Sequence, residues 1–239
     1  MKDALPKDRT FVAVDVDELR KAEPLVKMLA PHVGCFKIGL ELTTAVGGPQ
    51  AVEFIHSLGG QVFYDGKFCD IPNTVGRAAK AVSALGVKMF NVHASAGVEA
   101  MAAAVKNKGN SLVLAVTLLT SLNEDDINVI FGGPSKTKVL QLARDAMRAG
   151  CDGVICSPQE LTFLRSHTDL QDFSLITPGV RPAGTSKQDQ KRVMTPYEAI
   201  MAGADALVIG RPITEDKDPV SAAQRIEEEV RRACQEKSV

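Results

Sequence analysis

Short apolar segments recur along the whole chain, and most of them are apolar on both faces. They are rich in Val, Ile and Phe, which is typical of strands buried on both sides of a parallel sheet. The pattern predicts eight strands, at residues 11–15, 35–38, 62–65, 88–92, 112–117, 153–156, 174–177 and 206–209.

Stretches with the spacing of amphipathic helices lie between these strands, for example at residues 75–85, 139–149 and 219–234. Proline lies near the predicted start of several such stretches, where its missing N–H does least harm: Pro24, Pro72, Pro158, Pro196 and Pro219. A weak repeat at 84–88, 149–153 and 202–206 combines a helix end, a glycine and the start of a strand. The chain therefore alternates strand and helix.

Eight β-α units in 239 residues predict a (β/α)₈ barrel, the TIM-barrel fold of the α/β class, as a single domain over residues 1–239. A doubly wound open sheet is the main alternative. No Gly-x-Gly-x-x-Gly follows the first strand, which weakens that alternative. No linker, low-complexity tract or change of composition divides the chain.

Two predicted connections are longer than the usual loops of about 2–6 residues. They lie at residues 121–136, after the fifth strand, and 178–195, after the seventh. Both follow the carboxyl ends of strands, the face on which barrel enzymes build their sites. We expect lids or binding loops there, with tolerated surface insertions as the alternative.

Composition and charge exclude several classes of protein. Hydrophobic residues make up 45% of the chain, charged residues 24%, and the formal net charge is −1, so bulk electrostatics indicate neither a nucleic-acid nor a membrane partner. No apolar run approaches the ~20 residues that span a bilayer, and the first residues lack the apolar core of a signal peptide. The five cysteines contain no C-x-x-C pair, which favours free thiols in the cytoplasm over disulfides or a zinc site.

A D-x-K-x-x-D motif, formed by Asp65, Lys67 and Asp70, follows the third apolar segment. Residues two apart in a strand share a face, so the first two side chains should project together. Asp15 ends the first strand and Lys37 lies inside the second, so Asp15, Lys37, Asp65 and Lys67 would meet at one rim of a barrel. An alternating array of carboxylates and ammoniums satisfies each charge and would keep Lys67 protonated. It could therefore stabilise and protonate a carbanion, the alternative being a rigid internal salt-bridge network.

Two glycine–arginine segments follow the last two strands. They are Gly179-Val180-Arg181-Pro182 and Gly210-Arg211-Pro212, with Gln190 in the loop between them. Many barrels bind phosphate in these two loops, and an arginine fork matches phosphate oxygens. The sequence therefore predicts a substrate with a phosphate monoester.

Two further residues could take part in the chemistry. His93 ends the fourth strand, but no second histidine falls at a strand end, so we interpret it as a supporting or structural residue and predict no metal site. Cys69 lies inside the D-x-K-x-x-D motif and could be reactive beside Lys67, although the acid–base set is complete without it.

These residues together resemble the orotidine 5′-phosphate decarboxylase family. The resemblance covers nearly the whole chain, from residue 11 to residue 212, and its most specific part is the segment Asp65-Gly66-Lys67-Phe68-Cys69-Asp70-Ile71-Pro72-Asn73-Thr74. Supporting segments lie at residues 36–42, 91–94, 119–121 and 177–182. The resemblance implies a (β/α)₈ barrel that acts as a homodimer without metal or organic cofactor.

The resemblance also implies roles for individual residues around the reacting bond. Lys67 would be the proton donor, within a charge network of Lys37, Asp65 and Asp70, the last reaching into the site of the neighbouring subunit. Ile71 and Thr74, at the end of the motif, would also contact the substrate.

The remaining implied contacts surround the other parts of the substrate. Asp15 and Lys37 would contact the ribose, and Thr120 the pyrimidine. Arg181, Gln190, Gly210 and Arg211 would bind the phosphate, and the loop from residue 179 to residue 190 would close over the ligand.

Two positions depart from the usual bacterial pattern, which has Leu and His where this chain has Gly66 and Cys69. Gly66 should face the helices, where it would remove packing and add backbone freedom at a cost of about 1 kcal/mol. Neither change alters a charged group, so we expect an effect on local stability and none on the chemistry.

The implied reaction is loss of CO₂ from orotidine 5′-phosphate to give uridine 5′-phosphate, the last step of de novo UMP synthesis, with Lys67 protonating a C6 carbanion. One alternative is a related magnesium-dependent sugar-phosphate decarboxylase with the same barrel and motif. An aldolase with a Lys67 Schiff base is disfavoured, because flanking carboxylates keep the amine charged and non-nucleophilic. A non-catalytic barrel that binds a phosphate ligand is the alternative outside the enzymes.

Overall fold

Eight parallel strands close into a barrel in the computed structural model, which describes residues 4–182 and 194–237. Each strand pairs with the next along the chain, and the eighth pairs with the first, so the open doubly wound sheet is excluded. The strands are β1 (Thr10–Val14), β2 (Cys35–Ile38), β3 (Val62–Phe68), β4 (Met89–His93), β5 (Leu112–Val116), β6 (Gly153–Ile155), β7 (Ser174–Pro178) and β8 (Ala206–Ile209).

Helices surround the barrel and connect its strands, as the periodicity predicts. They are α1 (Leu19–Leu29), α2 (Leu40–Val46), α3 (Gly48–Ser57), α4 (Pro72–Ala84), α5 (Val98–Lys106), α6 (Glu124–Phe131), α7 (Ser135–Arg148), α8 (Leu161–Arg165), α9 (Pro196–Ala202), α10 (Arg211–Thr214) and α11 (Pro219–Lys237). Short 3₁₀ turns occur at Pro6–Arg9, Ala94–Ala96, Pro158–Glu160 and Thr168–Leu170. Within the described ranges, none of the helices is both long and apolar enough to span a membrane.

One prediction about the helices is wrong, and one helix lies where only a long connection is predicted. Pro24 lies inside α1, because the helix begins earlier, at Leu19, where buried Ala22 continues the apolar stripe. The connection at 121–136 is not a simple loop, because α6 forms within it. Asn123 caps that helix with a capping box to Asp126.

The apolar core has two parts, one on each face of the barrel wall. The larger part fills the space between strands and helices, while a smaller cluster plugs the barrel interior. Phe11 and Phe63 pack edge to face in this plug, with ring centroids 6.3 Å apart. Met89 and Leu114 complete the plug from β4 and β5, and both are fully buried. The plug closes the barrel below the carboxyl ends of the strands, where the polar residues begin.

Most strand boundaries match the prediction or differ from it by one residue, and the end of β3 differs by more. Asp15 lies one residue beyond β1 rather than inside it. The third strand continues past Asp65 to Phe68, so Lys67 belongs to the strand. The pairing of β3 with β4 shifts register between Tyr64 and Phe68, which marks a bulge at this point.

Candidate active site

The residues that point into the barrel change from apolar to charged towards the carboxyl ends of β1, β2 and β3. Ala13, Cys35 and Phe63 belong to the interior plug. Side chains two residues further along a strand share that face, and these are Asp15, Lys37 and Asp65. The predicted array therefore forms directly above an apolar plug.

The array is a continuous chain of alternating charges. The Lys37 Nζ donates to Asp15 Oδ1 at 3.0 Å and lies 3.2 Å from Asp65 Oδ2. The Lys67 Nζ donates to the other oxygen, Asp65 Oδ1, at 2.6 Å. The predicted convergence of Asp15, Lys37, Asp65 and Lys67 is confirmed.

Asp65 is the central group of the array, with a side chain that is only 10% exposed. Burial by itself would raise the pKa of this carboxyl. The charge of Lys37, the hydrogen bond and charge of Lys67, and a hydrogen bond from Asn91 outweigh burial and hold the Asp65 pKa below its usual value. The carboxylate therefore stays ionised between two ammoniums.

Lys37 is the corresponding central cation. Burial would lower its pKa, but the negative charges of Asp65 and Asp15 raise the Lys37 pKa above its usual value. The ammonium is therefore held charged although most of its side chain is buried.

Lys67 adopts a left-handed backbone conformation, with φ of +47°, inside the bulge of β3. Tyr64 pairs with Phe90 and Phe68 pairs with Val92, so three residues of β3 lie opposite one residue of β4. Residues other than glycine rarely adopt left-handed backbone, and those that do are held in it by the surrounding structure. Such residues cluster at active sites. The Lys67 ammonium therefore leaves the strand from a constrained main chain.

Gly66 lies on the opposite face of the bulge, towards the helices, as predicted. A Cβ at this position would lie 2.7 Å from Tyr64 Cε1 and 2.9 Å from Phe68 Cε1. The aromatic rings therefore cover the glycine, and the expected loss of packing does not occur. Cys69 follows as an exposed free thiol.

Asn91 is a member of the site that the sequence analysis did not identify. It is completely buried in β4, opposite the bulge. Its Oδ1 accepts the backbone N–H of Lys67 at 2.7 Å, and its Nδ2 donates to Asp65 Oδ1 at 2.6 Å. The sequence gives one indication of its place, because Asn91 lies two residues after the interior Met89 and two before His93, on the same face of β4.

His93 lies beside the array at the end of β4, half-buried. Burial and then the positive charge of Lys67 lower the pKa of this histidine, against the opposing effect of Asp65. The imidazole is therefore neutral near pH 7 and adds no charge to the array, and its supporting role stays a prediction.

A cavity of about 220 Å³ opens above the charge array. Lys37, Asp65 and Lys67 provide its charged side, and Thr120 lies at its polar edge. Its other lining residues are apolar and come from the interior plug and the later strands: Phe63, Val116, Leu118, Leu119, Ile155, Pro178 and Val208. One charged wall therefore faces an apolar one, an arrangement that is common in sites for small molecules.

The end of the motif turns away from this cavity. Asp70 is exposed, and its carboxylate accepts the N–H of Ile71 at 2.7 Å. Ile71 is 65% exposed, and Thr74, in the first turn of α4, is exposed as well. In this chain alone, these three predicted site residues do not join the array.

The predicted phosphate residues follow β7 and β8. Arg181 is half-buried after β7, and its backbone N–H donates to Met194 O at 3.1 Å. Gly210 follows β8 beside Ala13 of β1, and exposed Arg211 begins α10. Gln190 lies outside the described residues, as does most of the loop to which it belongs.

Groups of three or more His, Cys, Asp or Glu side chains that could hold a metal ion do not occur in residues 4–182 and 194–237. The carboxylates of the array, Asp15 and Asp65, each bond a lysine ammonium. The ammoniums of Lys37 and Lys67 lie at the edge of the apolar cavity.

Comparison with known proteins assigns the family. The sequence model of the orotidine 5′-phosphate decarboxylase / HUMPS family matches residues 8–226. Among curated proteins, the orotidine 5′-phosphate decarboxylase of Geotalea uraniireducens is 48% identical over 230 residues, which cover 93% of this chain and 95% of that protein. The orotidine 5′-phosphate decarboxylase of Moorella thermoacetica is 47% identical over 235 residues, with coverage of 94% and 92%.

A solved structure agrees with this assignment. The crystal structure of the orotidine 5′-phosphate decarboxylase from Lactobacillus acidophilus superimposes with a TM-score of 0.80 at 35% identity. The match covers 92% of this chain and 98% of that one. The barrel and the sequence therefore point to the same family.

Proposed function

This chain belongs to the orotidine 5′-phosphate decarboxylase / HUMPS family, and we propose that it converts orotidine 5′-phosphate to uridine 5′-phosphate and CO₂ in pyrimidine biosynthesis. As a carboxy-lyase, it would break the bond between C6 of the ring and the carboxylate. The observation that carries this proposal is the Asp15–Lys37–Asp65–Lys67 array at the mouth of an apolar cavity.

Lys67 is the proposed proton donor. When CO₂ leaves, the electron pair of the broken bond stays on C6, and no conjugated group of the ring accepts it. An ammonium near that atom stabilises the charge and then transfers a proton to C6. The neutral amine then regains a proton from water. In total, the substrate carboxylate and one proton are consumed, and CO₂ and a new C6–H bond are formed.

Asp65 and Lys37 prepare Lys67 for this step. The Asp65 carboxylate bonds Lys67 at 2.6 Å and so restrains its ammonium, while Lys37 neutralises part of the carboxylate charge. Because the groups are fixed before substrate binds, little reorganisation is needed when the carbanion forms. Asp15 and Lys37 are proposed to hold the ribose, and Thr120 the pyrimidine.

Phosphate binding is proposed for Arg181, Gln190, Gly210 and Arg211. The two arginines follow neighbouring strands, and Gly210 lies close to β1, where Asp15 begins the array. Phosphate is remote from the reacting bond, so its binding energy can orient the ring and favour closure of the site.

We propose that two copies of the chain form a homodimer in which Asp70 serves the site of the partner subunit. Its carboxylate is exposed and bonded to its own main chain, and the Ile71 side chain beside it is 65% exposed. Leu40, at the start of α2 on the same rim, is 60% exposed. A partner surface would bury these apolar groups and bring Asp70, Ile71 and Thr74 to a second cavity.

The cytoplasm is the proposed location. All five cysteines are free, and Cys35, Cys151 and Cys156 are buried. Burial raises the pKa of Cys35 and Cys151 to about 12, as expected for unreactive thiols of the core. Free cysteines are typical of proteins in a reducing compartment.

The test is turnover of orotidine 5′-phosphate, followed by absorbance, with and without a chelator. The proposal expects uridine 5′-phosphate and CO₂ in equal amounts, at a rate that the chelator does not change. No turnover of orotidine 5′-phosphate, with decarboxylation of a sugar phosphate that the chelator abolishes, would favour the magnesium-dependent sugar-phosphate decarboxylase. A borohydride-trapped adduct would favour the aldolase, and binding of uridine 5′-phosphate without turnover would favour the non-catalytic barrel.

A further inference from the structure

The amide of Asn91 links the main chain of the proposed proton donor to the carboxylate that restrains it. Its oxygen accepts from the Lys67 N–H at 2.7 Å, and its nitrogen donates to Asp65 Oδ1 at 2.6 Å. The side chain is completely buried. Both hydrogen bonds therefore end on the charge array.

The bulge in β3 creates the need for this amide. Between the pairs Tyr64–Phe90 and Phe68–Val92, three residues of β3 face only Asn91, so the regular exchange of backbone hydrogen bonds is interrupted. A buried N–H without a partner destabilises the fold, and so does left-handed backbone at a residue other than glycine, such as Lys67. The hydrogen bond to Asn91 removes the first penalty and holds Lys67 in the conformation that causes the second.

We propose that Asn91 is a positioning residue for the reaction. Its amide fixes the left-handed main chain of Lys67 and the orientation of Asp65, so that the Lys67 ammonium lies close to C6 of the substrate. The inference rests on the proposed decarboxylation and goes beyond it by adding a residue of β4. The side chain of Asn91 bonds Lys67 and Asp65, and in this proposal those two residues contact the substrate.

Two variants separate positioning from simple filling of space. Asn91→Leu has a similar volume and removes both hydrogen bonds. Asn91→Asp keeps the acceptor for the Lys67 N–H. It replaces the amide nitrogen, which donates to Asp65 Oδ1, by a carboxylate oxygen that cannot donate. Ser111→Ala is the matched control, because Ser111 is buried and donates to Val87 O at 2.7 Å just before β5, at the other end of the barrel.

We expect Asn91→Leu to lower kcat by about 100-fold, since a displacement of the order of 1 Å at a catalytic group can have that effect. KM should change by less than about threefold, because the proposed ribose and phosphate contacts are untouched. Ser111→Ala should keep kcat within about twofold of the wild type.

Asn91→Asp provides a pH readout. The charged or titratable groups around it are Asp65 and Lys67 of β3, Lys37 of β2 and His93 of β4. Two adjacent carboxyls cannot both ionise freely, so the pair retains one proton to a higher pH. That proton restores a donor to Asp65, so kcat relative to the wild type should rise by about tenfold between pH 8 and pH 5.5.

Wild-type kcat in Asn91→Leu, or an Asn91→Asp profile parallel to that of the wild type, would overturn the positioning role. Failure of both variants to fold, judged by circular dichroism beside Ser111→Ala, would assign the amide to the fold and overturn it as well. If the wild-type protein itself does not turn over orotidine 5′-phosphate, the proposed function fails, which is a separate result.

Discussion

Gly66→Ala should destabilise the protein, although alanine normally suits a strand better than glycine. The new Cβ would lie 2.7 Å from Tyr64 Cε1 and 2.9 Å from Phe68 Cε1, well inside ordinary carbon–carbon contact. The Phe68 ring packs on Phe90 with centroids 5.8 Å apart, and the Tyr64 hydroxyl lies against Gly48. Each ring therefore has a neighbour that limits its movement away from Gly66.

The expected size follows from two opposing effects. Overpacking in a tight core costs about 1–3 kcal/mol, and replacing glycine by alanine in a strand returns about 0.5–1 kcal/mol. We expect a net loss of about 1–2 kcal/mol in the free energy of unfolding. For a chain of this length, that loss lowers Tm by roughly 2–8 °C.

Urea denaturation at constant pH measures this loss. Gly133→Ala is the control, because its Cβ would meet only the flexible end of the Lys138 side chain, with Cε at 3.1 Å. It should change stability by less than about 0.5 kcal/mol. Tyr64→Val should reduce the loss from Gly66→Ala, with a coupling energy of about 1 kcal/mol in a double-mutant cycle. A Gly66→Ala protein as stable as the wild type, or more stable, would refute the steric reasoning.

Two further outcomes test the shared site and the pH dependence of stability. Mixing inactive Asp70→Asn and Lys67→Ala proteins under conditions of subunit exchange should restore turnover. The reason is that one of the two sites in each hybrid dimer then has both native residues. No recovery of turnover would contradict a shared site. Burial raises the pKa of Glu160 to about 7, so its carboxyl stabilises the fold below its unfolded pKa and loses that contribution as pH rises through 7. Glu160→Gln keeps an acceptor for the Ser157 N–H. The stability of this variant relative to the wild type should rise between pH 4.5 and pH 8 by an amount on the order of 3 kcal/mol. A constant difference across that range would show that Glu160 ionises normally.

The barrel and the charge array were both predictable from sequence, for the same physical reason. Apolar segments that bury both faces can form a parallel sheet, and the carboxyl ends of parallel strands meet at one rim. Placing Asp15, Lys37 and Asp65 at the ends of successive strands is therefore enough to bring them together. Strand order is therefore enough to predict that Lys37 lies between Asp15 and Asp65, which it contacts at 3.0 and 3.2 Å.

The bulge was not predictable, because it depends on how β3 pairs with β4. A period of two places Lys67 on the same face as Asp65, but it says nothing of a left-handed main chain or of the extra residues. Asn91 was missed for the same reason, since its role follows from the N–H that the bulge leaves unpaired. Helix α6 was a different kind of omission, because Asn123, Asp126 and Gly132 already carry its cap signals in the sequence.

The central claim is that Lys67 donates the proton in the decarboxylation, and turnover by Lys67→Ala tests it against a matched lysine. Lys108 is the control, because it also forms an ion pair at 2.6 Å, with Asp152, and its side chain is 24% exposed against 30% for Lys67. Lys108 precedes β5, at the opposite end of the barrel from the array. Lys67→Ala should lose at least about 1,000-fold in kcat while Lys108→Ala stays within about threefold of the wild type. Turnover by Lys67→Ala close to that of Lys108→Ala would contradict the mechanism.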